Sequence, residues 1–280
     1  VSLNPLVSNM VSDDKFASTL TFGQFVKAIA SFGAPFVASF AAVRFGDWKL
    51  LFPVYAAFSV LALALLSTIK IREEPYTAGG NFGRSLALLG NPAVLLFFLG
   101  IMAHVGIDVG INATAPRLLD GVGGMNLTTG GMFGLGAGFA TSIYFIFRMI
   151  GCFAGSFILA RGRRPVFWVA SVGLMALSVA GFLMFRNELA LYACLAFVGL
   201  GNSNIFPMLF TKAVRRLPER SNEVSGLLIM GIVSGAIFPF LMGIASDAAG
   251  AQWGAIVVVA VLVAYLLFLS AGMKDAPAAE

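Results

Sequence analysis

Charge is scarce in this sequence: 11% of its 280 residues are Asp, Glu, Lys or Arg, where a soluble domain carries about 25%. So little charge excludes an ordinary water-facing surface. Histidine is scarcer still, with His104 alone, and the two cysteines, Cys152 and Cys194, lie apart inside apolar runs. That inventory excludes a His/Cys metal site and leaves no surface cluster of acids, His or Cys to activate a nucleophile. The chain is therefore read as a non-enzyme without cofactor or metal, and its cysteines as packing residues. The opening residues do not read as a signal peptide. The chain starts at Val1, and VSLNPLVSNM resembles the end of a helix, so it is expected to begin part-way through a longer protein.

Hydrocarbon is what the sequence has in excess. Its hydrophobic fraction is 59% and its mean hydropathy +0.92. Apolar runs of about 20 residues recur, the length that crosses a bilayer core of roughly 30 Å. The fold class that follows is an all-α membrane protein. The net charge of +5 does not point to nucleic acid. The basic residues sit in short clusters between apolar runs, where they orient membrane proteins instead.

About eight transmembrane helices are predicted, at 17–43, 50–70, 92–119, 130–160, 164–185, 188–214, 222–247 and 251–273. Polar residues 72–91, with REEPYTAGGNFGR at their centre, read as a cytoplasmic linker between a first bundle (1–71) and a second (92–273), and 274–280 as a disordered tail. If residues 11–16 are cytoplasmic, Lys15, Arg72, Arg84, Arg161, Arg163, Arg164, Arg215 and Arg216 share that side with most other basic residues. Arg44, Lys49, Arg117 and Arg186 face the other way. A bias of that size over short loops sets the orientation.

The helices differ in kind. Those at 50–70, 164–185 and 251–273 have no charged residue in their interiors, while the others carry polar groups at depth. Counting the helix at 17–43 as the fifth of twelve, every third helix is apolar. Three-helix repeats predict that pattern, with one helix against lipid and two toward a polar cavity. The pairs Gly106–Gly110, Gly134–Gly138, Gly151–Gly155 and Gly231–Gly235 have the small-xxx-small spacing of close helix contacts.

The candidate functional residues are the polar ones at depth. His104, Asp108 and Asn112 recur every fourth residue and form one stripe along a helix. Asp108 lies about 24 Å from the cytoplasmic end of its helix at 1.5 Å per residue, where a carboxylate is costly without a role. The stripe is read as lining a substrate cavity, against the alternative of an interhelix hydrogen bond. Arg148, about 18 Å deep by the same rise, needs a partner such as Asp108. The two are candidates for an ion pair or for proton coupling, with backbone carbonyls as the alternative for Arg148. Gln24 and Lys27 form a further candidate pair, although a lysine there can also reach the interface. Asn202, Ser203 and Asn204 precede Phe206-Pro207, and the proline frees a carbonyl that a polar cavity could satisfy. Asn202 and Asn204 are read as substrate contacts, against the alternative of plain interhelix bonding. Asp247, at a helix C-terminus where its charge opposes the dipole, is expected to pair across a loop. The sequons at Asn112 and Asn126 are discounted.

The loop GSFILARGRRP at Gly155–Pro165 resembles the loop motif of the major facilitator superfamily, GxxxDRxGRR. Gly155, Gly162, Arg163 and Arg164 match, while Leu159 and Ala160 stand where Asp and Arg are expected. NPLV at Asn4–Val7, ASFGAP at Ala30–Pro35, HVGIDVG at His104–Gly110, FRMIG at Phe147–Gly151, IFPMLF at Ile205–Phe210 and GIASDAAG at Gly243–Gly250 resemble, in order, segments of the fucose permease-like sugar:proton symporters. The resemblance implies a major facilitator bundle, N-terminally truncated within its fourth helix. It also implies alternating access and a hexose or deoxyhexose carried with protons. The acidic residues best known in that family lie in helices ahead of this stretch. The permeases have amide-type contacts where Lys27 aligns, so a lysine implies altered selectivity. The expected setting is a monomer in a bacterial inner membrane, with sugar, protons and lipid as its partners and no nucleic acid. Two rivals stay open: efflux of drugs or metabolites by the same fold, and a transporter-like receptor.

Overall fold

The computed structural model describes residues 11–68, 82–127, 130–131, 136–161 and 164–270. Every described secondary-structure element is helical. A long first helix, α1 (Asp13–Phe45), is followed through a 3-10 turn by α2 (Leu51–Ser67). The short α3 (Phe82–Ala87) and a 3-10 turn occupy the second half of the predicted linker, so that part is helical. Residues 72–81 of the linker and the tail lie outside the described residues.

The following helices are α4 (Pro92–Leu119), α5 (Ala140–Ala160), α6 (Arg164–Met184), α7 (Glu188–Asn202), α8 (Ile205–Arg216), α9 (Ser221–Met230), α10 (Ser234–Ala249) and α11 (Trp253–Leu269). Five spans among the described residues are long and apolar enough to cross a bilayer: Pro92–Leu119, Ala137–Ala160, Pro165–Met184, Glu188–Arg216 and Pro218–Ala249. Phe52–Ser67 and Trp253–Leu269 are shorter apolar helices.

Local chemistry explains the boundaries. Asn91 caps α4, accepting from the Ala93 and Val94 amides at 3.0 and 3.4 Å, with Pro92 in the first turn. Asn187 caps α7 through the Ala190 amide at 2.8 Å. The helix predicted from 130 starts only at Ala137, as a 3-10 turn, because Gly130, Gly131 and Gly136 adopt φ of 93°, 74° and 70°. Those left-handed values end a helix, and hydropathy does not register them.

The span predicted at 188–214 is broken at Ser203–Asn204 into α7 and α8. Pro207 has no amide hydrogen to return to the Ser203 carbonyl. Asn204, at φ −115° and ψ 1°, turns the chain out of the helix. The span at 222–247 bends through a 3-10 turn, Gly231–Val233, between α9 and α10.

Packing brings α4 against α10, α11 and α8, and α5 against α7. Gly106 and Gly110 act as their spacing suggests. A Cβ on Gly106 would meet Phe238 and Leu262, and one on Gly110 would meet Met242, so α10 seats directly on α4. Gly134 lies outside the described residues. The first helix lies along α5, where Ser18 Oγ donates to the Ser156 carbonyl at 2.6 Å and Phe25 meets Phe153 with ring centroids 5.3 Å apart. By contrast, α2 is exposed at every described residue from Phe52 to Thr68. An apolar helix exposed on all sides suits hydrocarbon rather than water.

Candidate functional site

The polar residues at depth converge where α4, α5 and α7 meet. Asp108 on α4 is ion-paired with Arg148 on α5. Tyr144, one turn before Arg148, donates its hydroxyl to Asp108 Oδ1 at 2.5 Å and accepts from Arg148 Nη1 at 3.1 Å. Asn202, at the end of α7, donates Nδ2 to the same hydroxyl at 3.1 Å and to the His104 carbonyl at 3.4 Å. That orientation turns Asn202 Oδ1 to the imidazole, 2.8 Å from His104 Nδ1, so Nδ1 carries the hydrogen and donates. Phe206 lies beside the imidazole, with centroids 6.1 Å apart.

Asn202 is completely buried, and Arg148 is 3% exposed. Charges held so deep persist only when paired and hydrogen-bonded, and here each is. The backbone permits the approach at Gly199, where a Cβ would stand 2.5 Å from the Tyr144 carbonyl. The network is closed toward the bundle and opens at one member, Asp108, whose side chain is 16% exposed.

The expected ion pair between Asp108 and Arg148 is therefore present, and His104 and Asn202 join it. Asn112 only partly continues the stripe. Its Nδ2 folds back on its own helix to the Asp108 carbonyl at 2.7 Å, leaving Oδ1 as a buried acceptor without a hydrogen bond. Across from this cluster, Lys27 on α1 is exposed and within electrostatic reach of Arg148 and Asp108, while Gln24 is half-buried one turn away.

Asn204 stands apart from the network. Its Nδ2 donates to the Gly151 carbonyl at 2.9 Å, and its side chain fills the space where Gly155 has no Cβ. Gly155 thus acts as a packing surface for the broken helix. Gly162 and Arg163 lie outside the described residues, as does the side chain of Arg164.

Two expectations are corrected. The carbonyl freed by Pro207 is not left to a polar cavity. It accepts the Cys152 thiol, with Sγ 3.3 Å from the Ser203 oxygen, so Cys152 does more than fill space. Asp247 is exposed, lines the same cavity as Arg117, and has no ion pair among the described residues, since an exposed carboxylate carries little desolvation cost for a partner to offset.

Tyr144 was missed altogether. Its signal is its place at i−4 from Arg148 and i−8 from Cys152 on one helix face, obscured by the aromatic run YFIF.

No protein-family model matches the chain. In sequence it is similar to a glucose/galactose transporter of Brucella abortus biovar 1 (strain 9-941), 28% identical over 273 residues, covering 89% of this chain and 62% of that protein. A putative glucose/galactose transporter of Helicobacter pylori (strain J99) is 34% identical over 103 residues, 35% of this chain and 24% of that protein. The chain thus spans less than two thirds of the length of these curated relatives. In structure it is similar to a major facilitator superfamily transporter, FucP, in the outward conformation, with a TM-score of 0.77 at 18% identity over 98% of this chain and 72% of that one. The E. coli fucose:proton symporter FucP also matches, with a TM-score of 0.73 at 18% identity over 98% of this chain and 73% of that one.

Proposed function

We propose that this chain, an integral membrane protein with the major facilitator superfamily fold, supplies the larger part of a sugar transporter that carries a hexose or deoxyhexose with protons by alternating access. The observation that supports this most is the buried network of Asp108, Arg148, Tyr144, Asn202 and His104, open at Asp108. A hydroxylated solute needs donors and acceptors fixed in a dry wall, and this wall offers them without a broad aromatic surface. The exposed edge of Asp108, the free acceptor Asn112 Oδ1, and Lys27 and Gln24 opposite are the proposed substrate contacts. Arg148, Tyr144, His104 and Asn202 hold Asp108 in place. Asn204 belongs to the helix break and serves the site through Gly151 and Gly155. The named sugars of the sequence relatives, glucose and galactose, are the first substrates to try.

The ion pair supports a part in coupling. A proton or a sugar hydroxyl at Asp108 would weaken its hold on Arg148, and the released arginine would alter the contact between α4 and α5. The protein is proposed to act as a monomer in a bacterial inner membrane, with the cytoplasmic side at the basic loops. The test is uptake by cells devoid of hexose transport, offered D-glucose, D-galactose and L-fucose with and without an uncoupler. Accumulation of at least one sugar that the uncoupler abolishes is the expected result. Uptake or extrusion of amphipathic amines with no sugar moved would make it an efflux protein.

A further inference from the structure

Charge does not balance around the network. Among the described residues, three charged side chains stand there near the middle of their helices: Asp108 on α4, Arg148 on α5 and Lys27 on α1. Asp108 is already committed to Arg148, and Tyr144 also donates to it. His104 adds no negative charge in either protonation state, and the Cys152 thiol gives its hydrogen to the Ser203 carbonyl. The balance is one positive charge in excess, carried by Lys27. Its Cα lies about 21 Å from the start of α1 and about 27 Å from its end at 1.5 Å per residue, too far for its ammonium to reach either interface. Lys27 is exposed and makes no ion pair among the described residues. As α1 runs from Ser18 to Phe25, its partners on α5 run back from Ser156 to Phe153. That opposed course brings Lys27 within electrostatic reach of Arg148 and Asp108. An ionised group at such depth calls for a counter-charge, and here the guanidinium repels it while the carboxylate is engaged.

We propose that the counter-charge arrives with the substrate, and that the preferred solute is an acidic sugar, a hexuronate, whose carboxylate binds Lys27. The inference rests on the sugar-transport reading and narrows its substrate class. The two walls fix the orientation. The exposed edge of Asp108 turns a carboxylate away and accepts from ring hydroxyls. Gln24, half-buried one turn before Lys27, has amide hydrogens to donate to the acid group. A neutral hexose satisfies Asp108 and leaves Lys27 without a counter-charge. Hydrogen bonds between ionised partners are about twice as strong as neutral ones, so the acid binds about tenfold more tightly than the hexose.

The test uses the purified protein in lipid nanodiscs at neutral pH and equilibrium binding of radiolabelled D-galacturonate, D-glucuronate, D-galactose and D-glucose. Acetate, a carboxylate without hydroxyls, is the competitor. Lys27→Gln removes the charge and keeps a polar side chain, while Lys27→Arg keeps the charge. The expected result is a preference of about tenfold for at least one uronate over its hexose in wild type. That ratio falls to one or below in Lys27→Gln and persists in Lys27→Arg. Hexoses that bind wild type as tightly as the uronates would overturn the acidic preference and leave the sugar reading standing. A preference that survives in Lys27→Gln would remove Lys27 from the role, and one lost equally in Lys27→Arg would assign it to shape rather than charge. Displacement of galacturonate by equimolar acetate would reduce the site to a plain anion site. Absence of binding of all four sugars to wild type would overturn the sugar reading and this inference with it.

Discussion

Tyr144 is the residue on which the site turns. It has one hydroxyl hydrogen and two lone pairs, and all three are used: Asp108 accepts, and Arg148 and Asn202 donate. Tyr144→Phe removes these bonds at once while keeping the ring. Membrane hydrogen bonds are worth about 0.6 kcal/mol on average and up to about 1.7. Three such bonds come to roughly 1.8 kcal/mol, which, expressed wholly in binding, would be about a twentyfold fall in sugar affinity, measurable by equilibrium binding. Unchanged affinity would remove Tyr144 from the positioning role.

The pair Asp108–Arg148 makes a sharper case. Asp108→Asn or Arg148→Gln alone leaves a buried charge unpaired, at a cost of about 3–5 kcal/mol. The double neutral variant should therefore lose less thermal stability than the sum of the singles. Additive losses in that cycle would contradict the pairing. The pair was legible in the sequence because a deep aspartate and a deep arginine each need a partner. Tyr144 was not, since a tyrosine in an apolar helix is tolerated without one.

At the scale of elements, the break between α7 and α8 shows what hydropathy hides. A single run from 188 to 214 looks continuous, yet Pro207 frees the Ser203 carbonyl and Cys152 takes it up from the neighbouring helix. The broken segment can approach because α5 presents glycine there. A Cβ on Gly151 would lie 2.5 Å from Ser203 Oγ, and one on Gly155 would collide with Asn204. Gly155→Leu should therefore lower the melting temperature of the detergent-solubilised protein by several degrees. Gly173→Leu, on a helix face with nothing within 4 Å, should not. Equal effects would mean that leucine perturbs the bundle regardless of place. The glycine spacing announced these contacts but not their partners, which are tertiary. The left-handed glycines before α5 were illegible for the opposite reason, since glycine occurs as readily inside these helices as at their ends.

For the whole molecule, most of the architecture was readable from where charge is absent and where it clusters. The three helices without internal charge and the polar stripe on α4 need no tertiary knowledge. The convergence of α4, α5 and α7 does need it, because residues about a hundred positions apart, such as His104 and Asn202, meet only through packing. The cavity that Asp247 lines could not be foreseen either, since Asp247 was expected to find a partner in a loop.

The central claim is that sugar movement is tied to protons through a site built around Asp108. The most direct measurement is uptake of radiolabelled D-galactose and D-glucose into proteoliposomes of the purified protein under an imposed inward proton gradient, with Asp108→Asn and a gradient-free control alongside. The account predicts transient accumulation above equilibrium in wild type only with the gradient, and at most residual uptake in Asp108→Asn. Equal uptake with and without the gradient, or full gradient-driven accumulation in Asp108→Asn, would contradict it.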